Sequence, residues 1–187
     1  MKILYIGHFE EGSSWSEAAS HAVSALQAVG LEVVCRSIKA GAAYTAPPDH
    51  ILNAMAQSVQ GCTHCIQHVL PSAYAYTGGM RNIGYLMAEV TSLRNVGWSY
   101  RAGLMYEIWV PCRELANHLS KECNSPINVV PLATNVAKYE NRLCEKFPTP
   151  TFYSVIDITE RKNLVAILKA FHAEFRPEEE VNLIIKV

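Results

Sequence analysis

Short apolar segments alternate with amphipathic helical segments along nearly the whole chain, and this alternation restricts the fold more than any other feature. Strand-like runs lie at 3–6, 31–38, 62–69, 83–88, 107–111 and 127–131. Strands joined by helices of about 10–15 residues are typical of βαβ units around a parallel sheet, whose right-handed crossovers place helices on both faces. The pattern therefore predicts an α/β protein with a Rossmann-like parallel sheet.

The alternation stops and then restarts towards the end of the chain. Residues 132–150 are polar, lack a clear period and include Pro148 and Pro150. A strand (151–156), a helix (160–175) and another strand (181–187) follow. We predict a first domain at 1–147 and a single βαβ unit at 148–187. One such unit cannot bury both faces of its sheet, so we expect it to be completed beyond Val187 or by another chain.

Composition argues against several classes of protein. The formal net charge is −1, so no basic excess indicates a nucleic-acid partner. No apolar run reaches the roughly 18 residues of a membrane span, and the first segment turns polar too early for a signal peptide. These features predict a cytoplasmic protein that does not bind nucleic acid.

The cysteines are scattered, mostly within hydrophobic segments, which favours reduced thiols that fill the core. They are Cys35, Cys62, Cys65, Cys112, Cys123 and Cys144. The group formed by Cys62, Cys65 and His68 has some of the spacing of a zinc site. A second ligand pair is missing, however, and neighbouring residues of a strand face opposite ways. We therefore predict no metal.

Ligands of parallel sheets bind where the strands end, so the loop after the first strand is a candidate site. It contains Gly7, Gly12, Ser13 and Ser14 and leads into a helix whose N-terminus can receive an anion or a hydroxyl. Ser14 and Glu17 have the spacing of a capping box. The loop matches neither GxGxxG nor GxxxxGK[ST], which disfavours NAD and ATP. An ordinary turn is the alternative.

Four other side chains are candidate site residues. His68 ends an apolar strand, where it acts either on a substrate or as a structural hydrogen-bonding group. Glu89 closes the run at 83–88, where a buried carboxylate needs a partner or a ligand. Arg161 and Lys162 stand in the predicted first helical turn, where cations oppose the helix dipole unless an anion joins them. The alternative for Glu89 is a local ion pair. The alternative for Arg161 and Lys162 is that both are solvated surface cations.

Four segments, in this order and at these separations, resemble glycosyltransferase family 4, a group of retaining enzymes with the two-domain GT-B fold. They are IGYLMAEVT with Trp98 downstream, YEIWVPC, NVVPLATN and TERKN with the pairs Ala170-Phe171 and Glu174-Phe175. They span nearly the whole chain, which is therefore similar to the N-terminal part of such an enzyme.

The resemblance implies an acceptor-binding first domain and a donor-binding second domain. It places Arg161 and Lys162 on the diphosphate of a nucleotide sugar and Glu89 against the donor sugar as a catalytic residue. It places the loop from Gly7 to Ser14 beside both the acceptor and the diphosphate. No cofactor is expected, and the acceptor is a glycan or a small molecule. Peripheral membrane contact and self-association through the second unit are compatible with this organisation.

The chain departs from the family pattern in ways that bear on activity. Ile156-Asp157 stands where many members have Gly-Arg, and Leu132 and Asn135 replace small polar residues. The family's E-x7-E donor segment is absent, so we expect the chain alone to be inactive or nearly so. A non-catalytic α/β module that binds a sugar or a protein is the main alternative. A small nucleotide-binding or redox protein is the third.

Overall fold

The computed structural model describes residues 1–39, 41, 43–90, 92–138 and 147–187. The chain divides into two compact units, Met1–Lys138 and Tyr139–Val187. The boundary that the sequence predicts at 147/148 adjoins the segment 139–146, which lies outside the described residues together with Cys144.

The first unit contains a six-stranded parallel sheet in the order β2-β1-β3-β4-β5-β6. The strands are β1 (Lys2–Gly7), β2 (Glu32–Ser37), β3 (His64–His68), β4 (Arg81–Tyr85), β5 (Glu107–Val110) and β6 (Ile127–Val129). The helices are α1 (Ser14–Ala28), α2 (Asp49–Met55), α3 (Ser99–Ala102) and α4 (Arg113–Leu119), with 3₁₀ turns at Pro71–Ala73 and Val136–Lys138. The predicted α/β, Rossmann-like fold is confirmed.

The core lies on both faces of this sheet because successive strand residues point to opposite sides. On one face, Ile3 and Tyr5 of β1 pack with neighbouring strands and with Ala19 and Val23 of α1. On the other face, Ile108 and Val110 of β5 pack with α4 and with residues between β3 and β5. Gly7 allows close approach of strand and helix, since a Cβ there would lie 3.2 Å from Cβ of Ala19.

The second unit contains β7 (Thr151–Val155), α5 (Leu164–Glu174) and β8 (Asn182–Lys186). The two strands are parallel and pair in register from Thr151 with Asn182 to Val155 with Lys186. This is the strand–helix–strand unit that the sequence predicts. None of the helices in the described parts of the chain is long and apolar enough to cross a membrane.

Three local predictions need correction. The N-cap of α1 is Ser13 rather than Ser14, and its Oγ accepts a hydrogen bond from the backbone N–H of Ser16 at 3.3 Å. The strand predicted at 83–88 begins and ends earlier, at Arg81 and Tyr85. The last helix begins at Leu164, because Asn163 adopts a left-handed conformation and caps it. The short helix α3 was not predicted.

Candidate functional site

The strand order places a ligand-binding position beside β1. Strands β2 and β3 lie on opposite sides of β1, so the direction of the chain across the sheet reverses there. In open parallel sheets, ligands bind at such a reversal, outside the carboxyl ends of the strands. Gly7 and His68, the last residues of β1 and β3, are partners in register. The fold thus brings together two residues that the sequence predicts for the site.

His68 is the centre of a buried aromatic cluster. It has no exposed surface, its ring stacks on Tyr85 with centroids 4.5 Å apart, and Trp15 lies 5.9 Å away. Its Nδ1 is 2.7 Å from the hydroxyl of Tyr5, and its Nε2 is 3.3 Å from Sδ of Met87. Because both ring nitrogens have partners, direct contact with a substrate would require Met87 to move.

Burial keeps this cluster neutral. Desolvation, with a smaller contribution from His8, lowers the pKa of His68 to about 4, and burial keeps the pKa of Tyr5 well above its usual value. The thioether of Met87 can only accept, so Nε2–H of His68 donates to it and Nδ1 accepts from the Tyr5 hydroxyl. His68 therefore holds its proton on Nε2.

His8 is a second histidine at this edge, immediately after β1. Its Nδ1 is 2.7 Å from the carbonyl oxygen of Ile38, to which it donates a hydrogen bond. Oε2 of Glu11 is 3.8 Å from the same nitrogen, and the ring of Trp15 meets that of His8 edge-on. Among the described residues, Nε2 of His8 forms no hydrogen bond, and 11% of its side chain is exposed. The contact with Ile38 therefore requires a proton on Nδ1 of His8.

The loop that carries His8 is held near its middle by two hydrogen bonds from the segment after β2. Thr45 donates its backbone N–H to Glu10 at 3.0 Å, and Gly41 donates to the Glu11 carboxylate at 3.2 Å. Gly12 is exposed, and a Cβ there would lie 2.9 Å from Oγ1 of Thr45. Ser13 caps α1 and Ser14 is its exposed first residue. The predicted loop residues therefore shape the backbone around His8, and their contact with a ligand stays a prediction.

Glu89 occupies a different setting from the one expected. It is exposed and lies in the segment after β4, because that strand ends at Tyr85. The premise that it closes a buried strand is wrong. Its catalytic role, which comes from the family resemblance, stays a prediction.

Arg161 and Lys162 are exposed residues of the second unit. They lie in the 3₁₀ turn Glu160–Lys162 that precedes α5, rather than in the first turn of that helix. The side chain of Asn163 accepts the backbone N–H of Ala166 at 3.3 Å and so occupies the capping position. Their role on a diphosphate stays a prediction.

The sequence reasoning missed several residues of the cluster. Tyr5, His8 and Trp15 are close in sequence, at β1 and the start of α1, whereas Tyr85 lies on β4 and is brought to His68 by the order of the strands. His8 could have been suspected from its position directly after a strand-ending glycine. The aromatic residues gave no comparable signal, because a buried ring in a strand is more often part of the core.

Three of the described cysteines fill the core, as the pattern indicates, whereas Cys112 is exposed and Cys123 is half-buried. Cys35, Cys62 and Cys65 are buried, and Cys112 and Cys123 are also free thiols. Burial raises the pKa of Cys35 to about 12 and also raises the pKa values of Cys62 and Cys65. In the described parts of the chain, no group of three or more His, Cys, Asp or Glu side chains could hold a metal ion.

Comparison of the chain with protein-family models and with curated proteins gives no match.

Proposed function

We propose that this chain is part of a nucleotide-sugar-dependent glycosyltransferase of the GT-B type that transfers a glycosyl group with retention. The observation that carries the proposal is the ordered set of four family-4-like segments on an α/β chain. The first segment spans the end of β4 and the second spans β5, so both lead to the edge where parallel sheets bind ligands.

In this proposal, the first unit binds the acceptor and the second unit binds the diphosphate of the donor. Arg161 and Lys162 neutralise the leaving group, assisted by backbone N–H groups and without a metal. Glu89 contacts the donor sugar. The bond from the anomeric carbon to the phosphate oxygen breaks through an oxocarbenium-like transition state, and a new bond forms to an acceptor oxygen.

The proposal is tested by screening nucleotide sugars for hydrolysis and transfer with the protein isolated from its natural source. Mass spectrometry of the same sample gives the length of the natural chain. The variant Arg161→Ala/Lys162→Ala/Glu89→Gln is expected to lose transfer. The control Lys121→Ala changes an exposed cation of the first unit and is expected to retain it.

Two results would overturn parts of the proposal. Transfer that persists in the triple variant would reject these three residues as the donor site. Binding of a sugar without turnover of any nucleotide sugar would instead favour the non-catalytic sugar-binding module.

A further inference from the structure

We infer that the first unit has a second ligand site, at the edge of the sheet opposite to the candidate site, which binds a small amphipathic carboxylate. The site is an open groove of about 400 Å³ on one face of the sheet. The inference goes beyond the proposed function, because it concerns residues of the first unit alone and no step of the transfer reaction. It is carried by the shape of the groove and by the charges at its rim.

The groove lies at the amino ends of the neighbouring strands β1, β3, β4 and β5. The first residues of β3, β4 and β5 supply its polar side chains, and its floor and walls are apolar. The apolar side chains are Ile3, Leu26, Leu31, Ile66, Ile83 and Trp109. A concave site of this size, with apolar walls and a few polar groups, is typical of small-molecule binding.

The topology explains why the groove is open. The segments that follow β3 contribute to the core of the opposite face, through Tyr74 after the first 3₁₀ turn, Ala102 of α3 and Leu115 of α4. On the face of the groove, Leu26 of α1 forms one wall and Trp109 of β5 forms the other. In the described parts of the first unit, no helix other than α1 contributes to the lining. A ligand can therefore reach the floor between these two walls.

Arg81 supplies the charge that selects an anion. Its guanidinium stacks on the ring of Tyr106, with Cζ 3.5 Å from the ring centroid. This stacking leaves the N–H groups in the plane of the guanidinium available. Among the described residues, the side chain of Arg81 forms no hydrogen bond and no ion pair. Its planar fork of donors matches the two oxygens of a carboxylate.

The acidic residue of the groove does not neutralise Arg81. Oε1 of Glu107 accepts the indole N–H of Trp109 at 3.1 Å, and Oε2 accepts the side-chain N–H of Asn128 at 3.1 Å. The carboxylate is therefore engaged on the side of β5 and β6, and no ion pair joins it to Arg81 among the described residues. His64, the partner of Arg81 in register, brings no negative charge. The charge left to a ligand is thus positive.

These features define the ligand by its chemistry. An apolar body lies over Ile66 and Ile83, and a carboxylate at its end pairs with Arg81. Burial of the apolar body supplies most of the affinity, whereas the guanidinium distinguishes an anion from a neutral molecule of the same shape.

A first experiment uses octanoate as the probe and 1-octanol as the matched neutral ligand. Titration of the 187-residue chain should show saturable binding of octanoate, with a Kd of about 1 mM or below. The indole N–H resonance of Trp109, assigned with the variant Trp109→Phe, should shift in ¹H–¹⁵N spectra. The resonances of Trp15 and Trp98 should not shift, because neither residue lines the groove. Binding of 1-octanol should be weaker.

A second experiment removes the charge. Arg81→Gln should weaken octanoate binding about tenfold and leave binding of 1-octanol unchanged, because only charge-assisted hydrogen bonds are lost. Arg81→Lys keeps the charge but not the planar fork, so its affinity should lie between the two. Arg113→Gln, at an exposed arginine of α4, is the matched control and should bind octanoate like the wild type. Thermal unfolding of each variant checks that it is folded.

Three results would overturn the inference. The first is no shift of Trp109 at octanoate concentrations well above 1 mM, or an equal shift of all three indoles. The second is equal weakening of octanoate and 1-octanol binding by Arg81→Gln. The third is equal affinity of the wild type for the two probes, which would favour an apolar polypeptide segment as the occupant of the groove. None of these results bears on the proposed function, because no nucleotide sugar is used.

Discussion

The two units of this chain follow the same strand–helix–strand pattern but differ in what they bury. In the first unit, Ile66 of β3 and Leu119 of α4 are buried, with at most 1% of their surface exposed to solvent. In the second unit, the described residues 147–187 include no buried residue, although α5 is apolar along one side. The local pattern thus determines the elements, whereas the number of neighbouring strands determines whether a core forms.

The second unit does pack its aromatic residues together. Phe152, Phe171 and Phe175 have ring centroids 5.1–6.1 Å apart. They line an open groove of about 640 Å³ that also contacts Ile167 and Leu183. These side chains contact one another but keep part of their surface exposed, so each contributes less to stability than an enclosed one.

The largest contrast is expected from one substitution made in both units. Leu119→Ala should lower the free energy of unfolding by about 4 kcal/mol, since it leaves a cavity in an enclosed core. Leu168→Ala, at a residue that is 38% exposed on α5, should cost about 1 kcal/mol or less. Urea unfolding of both variants measures the difference. Equal losses would mean that the second unit has a core as well sealed as the first.

The next largest effect is a dependence of the free energy of unfolding on pH, which we expect to originate in the first unit. The pKa of His68 falls to about 4 in the folded chain from an ordinary value of 6.5. The unfolded chain therefore binds more protons between these values, and stability is full above pH 6.5 and declines as the pH falls towards 4. At about 1.4 kcal/mol per pH unit, the total loss is about 3 kcal/mol.

The variant Tyr5→Phe/His68→Leu tests this assignment, because it replaces both hydrogen-bonding partners with apolar side chains. Its unfolding free energy should decline less than that of the wild type between pH 7 and pH 4. Parallel curves for the two proteins would show that another group causes the decline.

The fold was predictable because it depends on local periodicity. The strands and the longer helices follow apolar spacing that is visible in the sequence, as at Val23 and Leu26 of α1. Helix α3 was missed because its four residues are too few to show a helical period. The N-cap was placed one residue late because Ser13 and Ser14 are chemically equivalent caps, and the local fold selects Ser13.

The candidate site was predictable only in part. Strand ends can be located in a sequence, so Gly7 and His68 could be assigned to one edge before the register was known. The contact of His68 with Tyr5, Trp15 and Tyr85 depends on the order of the strands, which no local pattern specifies. Glu89 was misplaced because β4 ends at Tyr85, three residues before the predicted end of the strand, and its carboxylate is exposed.

A smaller effect is expected where β4 meets the loop after β3. A Cβ on Gly84 would lie 2.6–2.8 Å from three atoms of the buried Tyr74 side chain. Gly84→Ala should lower the free energy of unfolding by about 2 kcal/mol through overpacking. Gly78→Ala is the matched control, since no atom lies within 4 Å of a Cβ there. If thermal and urea unfolding of the two variants coincide, the tight packing of the first unit does not extend to this position.

The smallest effect concerns a loop of the first unit rather than its core. One carboxylate oxygen of Glu122 accepts hydrogen bonds from the hydroxyl of Ser92 at 3.1 Å and from the backbone N–H groups of Leu93 and Arg94 at 2.7 and 3.3 Å. These bonds, with that from Ser92 the strongest influence, lower the pKa of Glu122 below 4.5. The ionised Glu122 carboxylate therefore stabilises the folded chain fully above pH 4.5. This stabilisation is lost as the pH falls through the lowered pKa of Glu122 in the folded chain.

Glu122→Gln keeps an accepting oxygen but removes its charge, so it should loosen this loop while leaving the sheet intact. Hydrogen exchange at the amides of Leu93 and Arg94 should become faster, whereas exchange in β4 and β5 should not change. Glu114→Gln, on the exposed side of α4, should affect neither region. Faster exchange that spreads into the strands would show that the loop and the core open together. In that case no part of the first unit would open independently of its core. The only difference in stability would then be the one between the first and the second unit.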